Sequence, residues 1–390
     1  MKTLIELYDE RPIENVLATE VFKPQRTIFL CPPEVAQNKN IQNKMREYFA
    51  RRGVEVELHF MESSLYNAAK LERQLYSITE KYPDCMIDVT GGTDAALFAG
   101  GKFCAATNIP AFTYSWKSKS FFSIHEAHFC DALKCDVRHE VEDCFVMAGG
   151  AMREGRVDNS ILDRYLDSID AFFALYMSNR SDWTSAVSYI QRASQVEKGE
   201  FIPLEVNAPY TVICEHGNRI NAPEKVLYDL EKLGYISGVT IGDRVSFSFK
   251  DRQIRTWLRD IGSVLELYVY KACLDTGLFN DVRTSAVVDW EGDFGRDNVT
   301  NEIDVMAMQG IVPVFISCKT CEVGTEALNE LAILRDRFGG KAAKAAIVTA
   351  HHCRNITRHR ALELGIDVID LEDLEDERIG EQIKSMMSRD

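Results

Sequence analysis

Short apolar segments alternate with longer amphipathic segments over the first 120 residues. Runs of apolar or alternating residues predict strands, at residues 4–8, 27–31, 54–58 and 85–89. Apolar residues at helical spacing predict helices between them, at residues 13–22, 36–52, 65–81 and 91–106. Strands that alternate with helices are typical of a largely parallel sheet covered on both faces. We therefore expect the first part of the chain to be an α/β domain.

The middle of the chain has a different pattern. A helical stretch covers residues 159–176, and residues 178–222 show no clear periodicity. A helix at residues 225–233 and two apolar segments joined by a turn at residues 241–243 are then typical of the end of a winged helix. Such a unit binds DNA in some proteins and links domains in others. The acidic residues Asp229, Glu231 and Asp243 favour a linker.

A third pattern begins near residue 260. Helices are predicted at residues 262–276, 326–338 and 354–364, and strands at residues 282–288, 302–308, 312–319, 345–349 and 367–370. This order predicts a second α/β domain. The acidic residues that follow, from Glu372 to Glu377, have the composition of a solvated tail.

A glycine-rich turn joins the strand at residues 85–89 to its helix. Its sequence is Thr90-Gly91-Gly92-Thr93-Asp94. The glycines allow unusual dihedral angles and close backbone approach, and exposed N–H groups at a helix start favour an anion. Ligands bind at the carboxyl ends of strands in open α/β sheets, but the same sequence also suits an ordinary strand–helix turn. Asp94 complements the helix dipole but would repel an anion.

A second group of polar residues interrupts the apolar strands of the C-terminal domain. Glu302 and Asp304 share one face of their strand, and Ser317 and Lys319 share one face of the next. The short turn between these strands makes them plausible antiparallel neighbours, so Asp304 and Lys319 can meet. A carboxylate that holds Mg²⁺ or Mn²⁺ and a lysine that positions water fit metal-assisted phosphodiester hydrolysis. A salt bridge at the sheet end is the alternative.

The net charge limits the classes of partner. Lys and Arg number 45 against 60 Asp and Glu, a net charge of −15, which argues against long-range attraction of a duplex. A local basic groove or bound divalent metal can still neutralise phosphates. Arg252, Arg255 and Arg259 have helical spacing, for which a solvated face is favoured over a basic stripe. Without a membrane-length apolar run or signal sequence, we expect a cytoplasmic protein with no membrane partner.

Both groups of polar residues belong to sequence motifs of one known family. The markers are Leu4-Ile5-Glu6-Leu7, Thr90-Gly91-Gly92-Thr93, Leu265-Glu266-Leu267, Asn301-Glu302-Ile303-Asp304-Val305 and Ile316-Ser317-Cys318-Lys319-Thr320. With this order and spacing, the chain resembles the CRISPR-associated nucleases that join an N-terminal CARF domain to a C-terminal PD-(D/E)xK nuclease. The resemblance implies a Rossmann-like CARF domain at residues 1–150, a helical and winged-helix-like linker at 151–255, and a restriction-endonuclease-like α/β domain at 256–390.

The resemblance also implies a function. It implies a homodimer whose CARF domains bind a cyclic oligoadenylate made by type III CRISPR complexes, with cyclic tetra-adenylate as the first candidate. Binding would activate metal-dependent cleavage of single-stranded DNA and RNA, and nicking of DNA, in antiviral defence. The implied catalytic residues are Glu266, Asp304, Ser317 and Lys319, with Mn²⁺ or Mg²⁺ held by Glu266 and Asp304. The implied ligand-binding residues are Asp9, Glu10, Arg11, Thr90, Gly91, Gly92, Thr93 and Asp94.

Three positions depart from the usual motifs of this family. Ser317 replaces the Glu of E-x-K, Asp94 replaces the Lys of TGGTK, and Asp9 replaces a Ser in the first loop. Serine is a weaker metal ligand, so metal affinity should fall unless Glu266, Glu302 or a loop acid compensates. Carboxylates beside an anionic ligand repel it when desolvated. A non-catalytic nucleotide sensor with a degenerate nuclease domain, and a nuclease that needs no activator, are therefore the alternatives.

Overall fold

The computed structural model describes residues 2–195, 203–214 and 217–389. The N-terminal domain is built on a seven-stranded sheet whose first five strands, in spatial order, are parallel. In that order the strands are Glu57–Glu62, Arg26–Cys31, Thr3–Leu7, Cys85–Asp88, Ala111–Ser115, Ser120–His125 and Leu133–Lys134. Every residue of Thr3–Leu7 is buried, as expected for a central strand covered by helices on both faces.

Polar side chains cap the three longest helices of this domain, Asn38, Asn67 and Thr93. The helices of the domain are Leu17–Phe22, Pro33–Ala36, Lys39–Arg51, Ala68–Lys81, Asp94–Thr107 and Val141–Met147, with 3₁₀ turns at Ile13–Asn15 and His128–Cys130. The helix predicted at about 36–52 is present as Lys39–Arg51. It begins later than predicted because the Asn38 side chain accepts hydrogen bonds from the N–H groups of Asn40 and Ile41 and caps the helix there.

The strand predicted at 54–58 begins three residues later. The N–H of Val54 donates to the carbonyl of Phe49 at 2.9 Å, which closes the preceding helix. Val54 is itself buried in the core, and the chain extends along the neighbouring strand only from Glu57, which lies opposite Arg26. Apolar alternation alone does not separate a packed helix end from the strand that follows it.

The middle segment is helical and then carries a small sheet. Its elements are the 3₁₀ turn Asn159–Arg164, the helices Leu166–Ser178, Arg180–Ala193, Glu224–Lys232 and Arg252–Trp257, and the strands Glu205–Pro209, Thr211–Ile213, Arg219–Asn221, Ile236–Ile241 and Arg244–Phe249. The expected helix and two-stranded wing are present, and Glu205–Pro209 adds a third strand to the wing. The sequence pattern predicted no elements for residues 178–222. Part of that region lies outside the described residues, at 196–202 and 215–216.

The C-terminal domain has a six-stranded mixed sheet. Its spatial order is Asp367–Ile369, Lys344–Thr349, Val312–Lys319, Thr300–Gln309, Asp281–Asp289 and Ala151–Glu154. Its helices are Ser263–Asp275, Thr325–Phe338, Asn355–Glu363, Leu371–Glu375 and Ile379–Ser388. The edge strand Ala151–Glu154 comes from the segment predicted as linker, so that segment also completes the C-terminal sheet.

Two packing features connect the three parts of the molecule. Phe145 and Phe338 meet edge to face at 5.1 Å between ring centroids, on the core shared by the N-terminal helices and the C-terminal sheet. The middle helices pack on the other face of that sheet, around Trp183 and Trp257. Of the acidic residues predicted as a solvated tail, Glu372, Glu375, Asp376 and Glu377 are exposed and Asp373 is buried. The segment is folded, because Leu371 and Leu374 are buried and Asp370 caps their helix. No helix in the described part of the chain combines the length and apolarity that crossing a membrane requires.

Candidate functional sites

The first candidate site lies where two antiparallel strands of the C-terminal sheet run side by side. Val305 pairs with Ile316, which places Asp304 beside Ser317. One carboxylate oxygen of Asp304, Oδ2, accepts a hydrogen bond from Ser317 Oγ at 3.0 Å and another from the Cys318 N–H at 2.6 Å. Lys319 Nζ lies 3.7 Å from the same oxygen. The structure therefore brings Asp304, Ser317 and Lys319 together.

Glu266 reaches this site from the first turn of the helix Ser263–Asp275. Asp260 fixes the start of that helix, since its Oδ1 accepts hydrogen bonds from the Gly262 and Ser263 N–H groups. A Cβ at Gly262 would lie 2.9 Å from Glu266 Oε1, so a side chain at position 262 would crowd the carboxylate. Glu266 is buried, and its Oε2 has no hydrogen-bond partner among the described residues.

Burial and mutual repulsion of the carboxyl groups dominate the electrostatics of the site. Burial, and then the charge of Asp304, raises the pKa of Glu266 to about 8. Burial also raises the pKa of Asp304, against the opposing effect of Lys319. Burial and a second negative charge both disfavour ionisation, and a nearby cation relieves both.

Sequence reasoning missed Arg156, which connects the acidic residues. It pairs with Asp260, and its Nη2 lies 3.4 Å from Glu266 Oε1 and 3.3 Å from Glu302 Oε1. Glu302 Oε1 also accepts a hydrogen bond from Ser285 Oγ at 2.7 Å. Arg156 follows the edge strand Ala151–Glu154, so its position depends on a strand pairing that no local pattern reveals.

The fit of a divalent metal can be judged from these contacts. Among residues 2–195, 203–214 and 217–389, no three His, Cys, Asp or Glu side chains converge in a way that would hold a metal by themselves. Mg²⁺ is commonly held by one or two carboxylates, with water and substrate phosphates completing the octahedron. Glu266, with its unpartnered Oε2, and Asp304 fit that role.

The second candidate site lies at the carboxyl edge of the N-terminal sheet. Glu6 and Asp88 are register partners on adjacent parallel strands, so the loops that follow them are neighbours. Asp9 Oδ2 accepts a hydrogen bond from the Gly92 N–H at 2.9 Å, and its Oδ1 accepts one from the Arg11 N–H at 2.9 Å. The Gly92 N–H is therefore engaged by Asp9 in this structure.

The two threonines of the loop are engaged within the protein. Thr90 Oγ1 donates to Asp88 and accepts a hydrogen bond from the Tyr114 N–H at 2.8 Å. Thr93 caps the helix Asp94–Thr107, accepting from the Ala96 N–H at 3.2 Å and donating to the Leu65 carbonyl at 2.6 Å. These threonines hold the loop in shape and do not offer free hydroxyl groups.

The two glycines allow the loops to pack closely. A Cβ at Gly91 would lie 2.9 Å from the Cβ of Asp9, and Gly92 has φ +109° with a Cβ position 3.0 Å from the Cβ of Leu7. Of the other predicted ligand residues, Glu10, Arg11 and Asp94 are exposed at this edge. Close loop packing thus explains both glycines without a bound ligand.

Buried carboxyl groups lie directly beneath this edge. Burial raises the pKa of Asp88 to about 7, although its hydrogen bonds from Thr90 oppose the shift. Burial and then Asp88 raise the pKa of Glu6 well above its usual range, and Glu6 Oε1 has no partner among the described residues. Burial also raises the pKa of Glu14 to about 7. The edge is therefore poor in cations and rich in acids.

Comparisons with known proteins bear on the fold and on the C-terminal domain. Residues 254–387 match the family described as Card1-like, endonuclease domain. Protein VC1899 from Vibrio cholerae has a TM-score of 0.75 at 16% identity, over 98% of this chain and 97% of its own. Can2 from Sulfobacillus thermosulfidooxidans, solved in complex with cyclic tetra-adenylate, has a TM-score of 0.69 at 18% identity, over 100% of both chains. No curated protein matches this chain.

These matches confirm the expected architecture. The likeness over the full chain bears out an α/β protein in which a Rossmann-like N-terminal domain precedes a nuclease-type domain. The candidate residues Glu266, Asp304, Ser317 and Lys319 all lie inside the matched range. Residues 254–387 therefore form a Card1-like endonuclease domain, in a chain that has the fold of Can2 and of protein VC1899.

Proposed function

We propose that this protein is a metal-dependent endonuclease activated by a cyclic oligoadenylate, which cleaves single-stranded DNA or RNA and nicks supercoiled DNA. The observation that carries the proposal is the convergence of Ser317 and Lys319 on Asp304 within a Card1-like endonuclease domain. The likeness to Can2, solved with cyclic tetra-adenylate, supports the class of activator. The corresponding biological role is antiviral defence alongside a type III CRISPR complex.

In this proposal, Glu266 and Asp304 hold one Mn²⁺ or Mg²⁺ ion. Glu266 offers Oε2, while its Oε1 faces Arg156, so a metal ligand remains available without breaking the arginine contact. Ser317 donates to Asp304 and orients that carboxylate, which gives the serine a positioning role in place of the glutamate of the usual motif. When bound, the metal would acidify a water and stabilise the charge that develops on the phosphate.

Lys319 supplies the nearby positive charge. Its Nζ is 3.7 Å from Asp304 Oδ2, longer than a charge-assisted hydrogen bond, so its donors are not committed to that carboxylate. About a third of the side chain is exposed, so it can contact a strand that enters from solvent. We assign Lys319 to holding the attacking water and offsetting phosphate charge.

The N-terminal edge is the proposed activator site. A cyclic ligand with two-fold symmetry suits a two-fold interface, so we propose a homodimer with one copy of this edge from each chain. Tyr66 and Phe98 support such an interface because they are large apolar residues left 80% and 67% exposed. The predicted ligand residues that remain free for contact are Glu10, Arg11 and Asp94, and Asp9 would have to release Gly92 for the loop amide to bind phosphate.

Plasmid nicking and cleavage of a labelled single strand test the proposal. With Mn²⁺ and cyclic tetra-adenylate together, we expect cleavage that EDTA abolishes and that falls strongly when the activator is left out. Cyclic oligoadenylates of other ring sizes are tested in parallel, since Asp9 and Asp94 could alter the preferred ring. Folded protein that cleaves neither substrate with any ring would reject the proposal, and equal cleavage without activator would select a constitutive nuclease.

Ser317 and Asp94 favour one other function, a nucleotide sensor without nuclease activity. A serine in place of a glutamate removes a charged metal ligand, and Asp94 is an acidic residue at the proposed ligand edge. This alternative predicts binding of a cyclic nucleotide without metal-dependent turnover. Calorimetric titration of Mn²⁺ into the wild type and Asp304→Ala separates the two functions, because identical negligible heats would favour the sensor.

A further inference from the structure

One cavity of this acidic protein is lined by arginine. It has a volume of about 840 Å³ and lies between the helix Arg180–Ala193, the hairpin strand Arg219–Asn221 and the helix Arg252–Trp257. Among the described residues, its charged lining consists of five arginines and one aspartate, which are Arg156, Arg192, Arg219, Arg255, Arg259 and Asp260. In a chain of net charge −15, this is a local concentration of positive charge.

Four of these arginines have no negative partner among the residues that the structure describes. Within the described part of the chain, no carboxylate pairs with Arg192, Arg219, Arg255 or Arg259, although Arg156 and Asp260 pair with each other. Arg255 is 5% exposed and donates to the Ser194 carbonyl at 2.7 Å. The Nε atoms of Arg255 and Arg259 are buried and have no hydrogen-bond partner among the described residues.

Such an arrangement is costly without an anion. Buried guanidinium groups that are neither paired nor fully hydrogen-bonded pay a desolvation penalty, and neighbouring like charges add repulsion. Burial, and then the charge of Arg259, lowers the pKa of Arg255 in agreement with this cost. The cavity is therefore complementary to a phosphate-bearing ligand, since guanidinium groups bind phosphate oxygens in a bidentate manner.

The cavity also opens next to the candidate nuclease site. Arg156 and Asp260 form its wall, and Arg156 contacts Glu266 on the other side. A strand that passes through the cavity thus reaches the carboxylates that we assign to the metal. The volume is that of a small-ligand pocket, which is enough for one or two nucleotides. Among the described residues, no aromatic side chain lines it, so those residues offer no platform for base stacking.

We infer that this arginine cavity binds backbone phosphates of the single-stranded nucleic acid substrate and directs the strand to the nuclease site. The inference rests on the proposed function and assigns the substrate path beside the same site. Because the contacts are to phosphate, binding is independent of base sequence and falls steeply with salt. Arg255 and Arg259, which the sequence pattern predicted to lie on a solvated helix face, are thus part of the proposed binding site.

Fluorescence anisotropy of a labelled 20-nucleotide oligo(dT), measured in EDTA to prevent cleavage, tests the inference. The double variant Arg192→Glu/Arg219→Glu changes two exposed side chains, and Arg46→Glu/Arg73→Glu makes the same charge change on exposed helices of the N-terminal domain. We expect the cavity variant to bind at least about tenfold more weakly, with the salt slope reduced by about 0.7 for each lost contact. The control should stay within about twofold of the wild type.

Two competitors identify the ligand. An abasic strand with the same number of phosphates should compete as well as oligo(dT), because the cavity contacts the backbone. Inorganic pyrophosphate at equal phosphate concentration should not displace the strand, and displacement would assign the cavity to a small phosphate ligand and overturn the inference. Equal binding by the cavity variant and its control would also overturn it.

Cleavage assays on the same variants separate this inference from the proposed function. A wild type that cleaves, together with a cavity variant that binds and cleaves normally, contradicts the cavity assignment alone. A wild type that never cleaves but whose strand binding depends on Arg192 and Arg219 contradicts the nuclease proposal and leaves the phosphate site supported. Melting temperatures of both double variants, expected to match the wild type, verify that folding is intact.

Discussion

The two candidate sites satisfy their carboxylates in different ways. At the nuclease site, Asp304 has Lys319 nearby and Glu266 has Arg156, so side-chain cations balance the acids. At the N-terminal edge, Asp9 takes its hydrogen bonds from the backbone N–H groups of Gly92 and Arg11. The first arrangement suits a site that handles phosphate and metal together. In the second arrangement, the carboxylate of Asp9 occupies a position that suits an anion. An anionic activator would have to displace this carboxylate.

Replacing Lys319 should have the largest effect. Lys319→Ala removes the positive charge assigned to the phosphate and water, so we expect cleavage to fall by about 10³-fold or more. The free energy of unfolding should change by no more than about 1–2 kcal/mol, because the side chain is partly exposed. Single-turnover cleavage and chemical denaturation measure the two quantities. Lys344→Ala, on the adjacent strand, is the control, and retained cleavage in Lys319→Ala would place the site elsewhere.

Replacing Asp9 tests the N-terminal edge. Asp9→Ser removes a carboxylate from the loop and frees the Gly92 N–H, so cyclic tetra-adenylate should bind about tenfold more tightly. Calorimetric titration of the activator measures this change. Asp84→Asn, a neutralisation elsewhere in the same domain, should leave the affinity unchanged. Weaker binding by Asp9→Ser would mean that Asp9 contacts the ligand favourably or holds the loop in its binding conformation.

The smallest effect concerns stability as a function of pH. The pKa of Asp88 is about 7 in the folded protein, against about 4 for an unfolded aspartate, so the folded state binds the proton more tightly. Its contribution to stability is therefore full below about pH 4 and is lost as the pH rises through about 7. Asp88→Asn should flatten the decline in melting temperature between about pH 4 and 7. An identical pH profile in both proteins would contradict this account of the buried edge.

Much of the nuclease site could be predicted because it depends on local rules. The two-residue period of strands and the short turn between Thr300–Gln309 and Val312–Lys319 suffice to bring Asp304 near Ser317 and Lys319. Glu266 followed only from the family resemblance, since nothing local relates its helix to these strands. The role of Arg156 could not be predicted, because the strand that precedes it joins the edge of the sheet from a distant part of the chain.

The N-terminal edge shows where such rules fail. The position of the glycine-rich loop at the end of a parallel strand was predictable, and the sheet agrees. The contact between Asp9 and Gly92 depends on two loops packing against each other, and sequence spacing carries no information on that packing. The same applies to the arginine cavity, whose members come from several separate segments and are brought together only in the folded chain.

The most direct test of the account is the binding of Mn²⁺ to the free protein. Calorimetry on the wild type should show one Mn²⁺ site per chain, and both Glu266→Gln and Asp304→Asn should weaken it at least about tenfold, since each removes a charged ligand. Glu326→Gln, an exposed glutamate in the same domain, should bind Mn²⁺ like the wild type. Unchanged Mn²⁺ binding in either Glu266→Gln or Asp304→Asn would contradict a shared metal and the hydrolytic mechanism built on it.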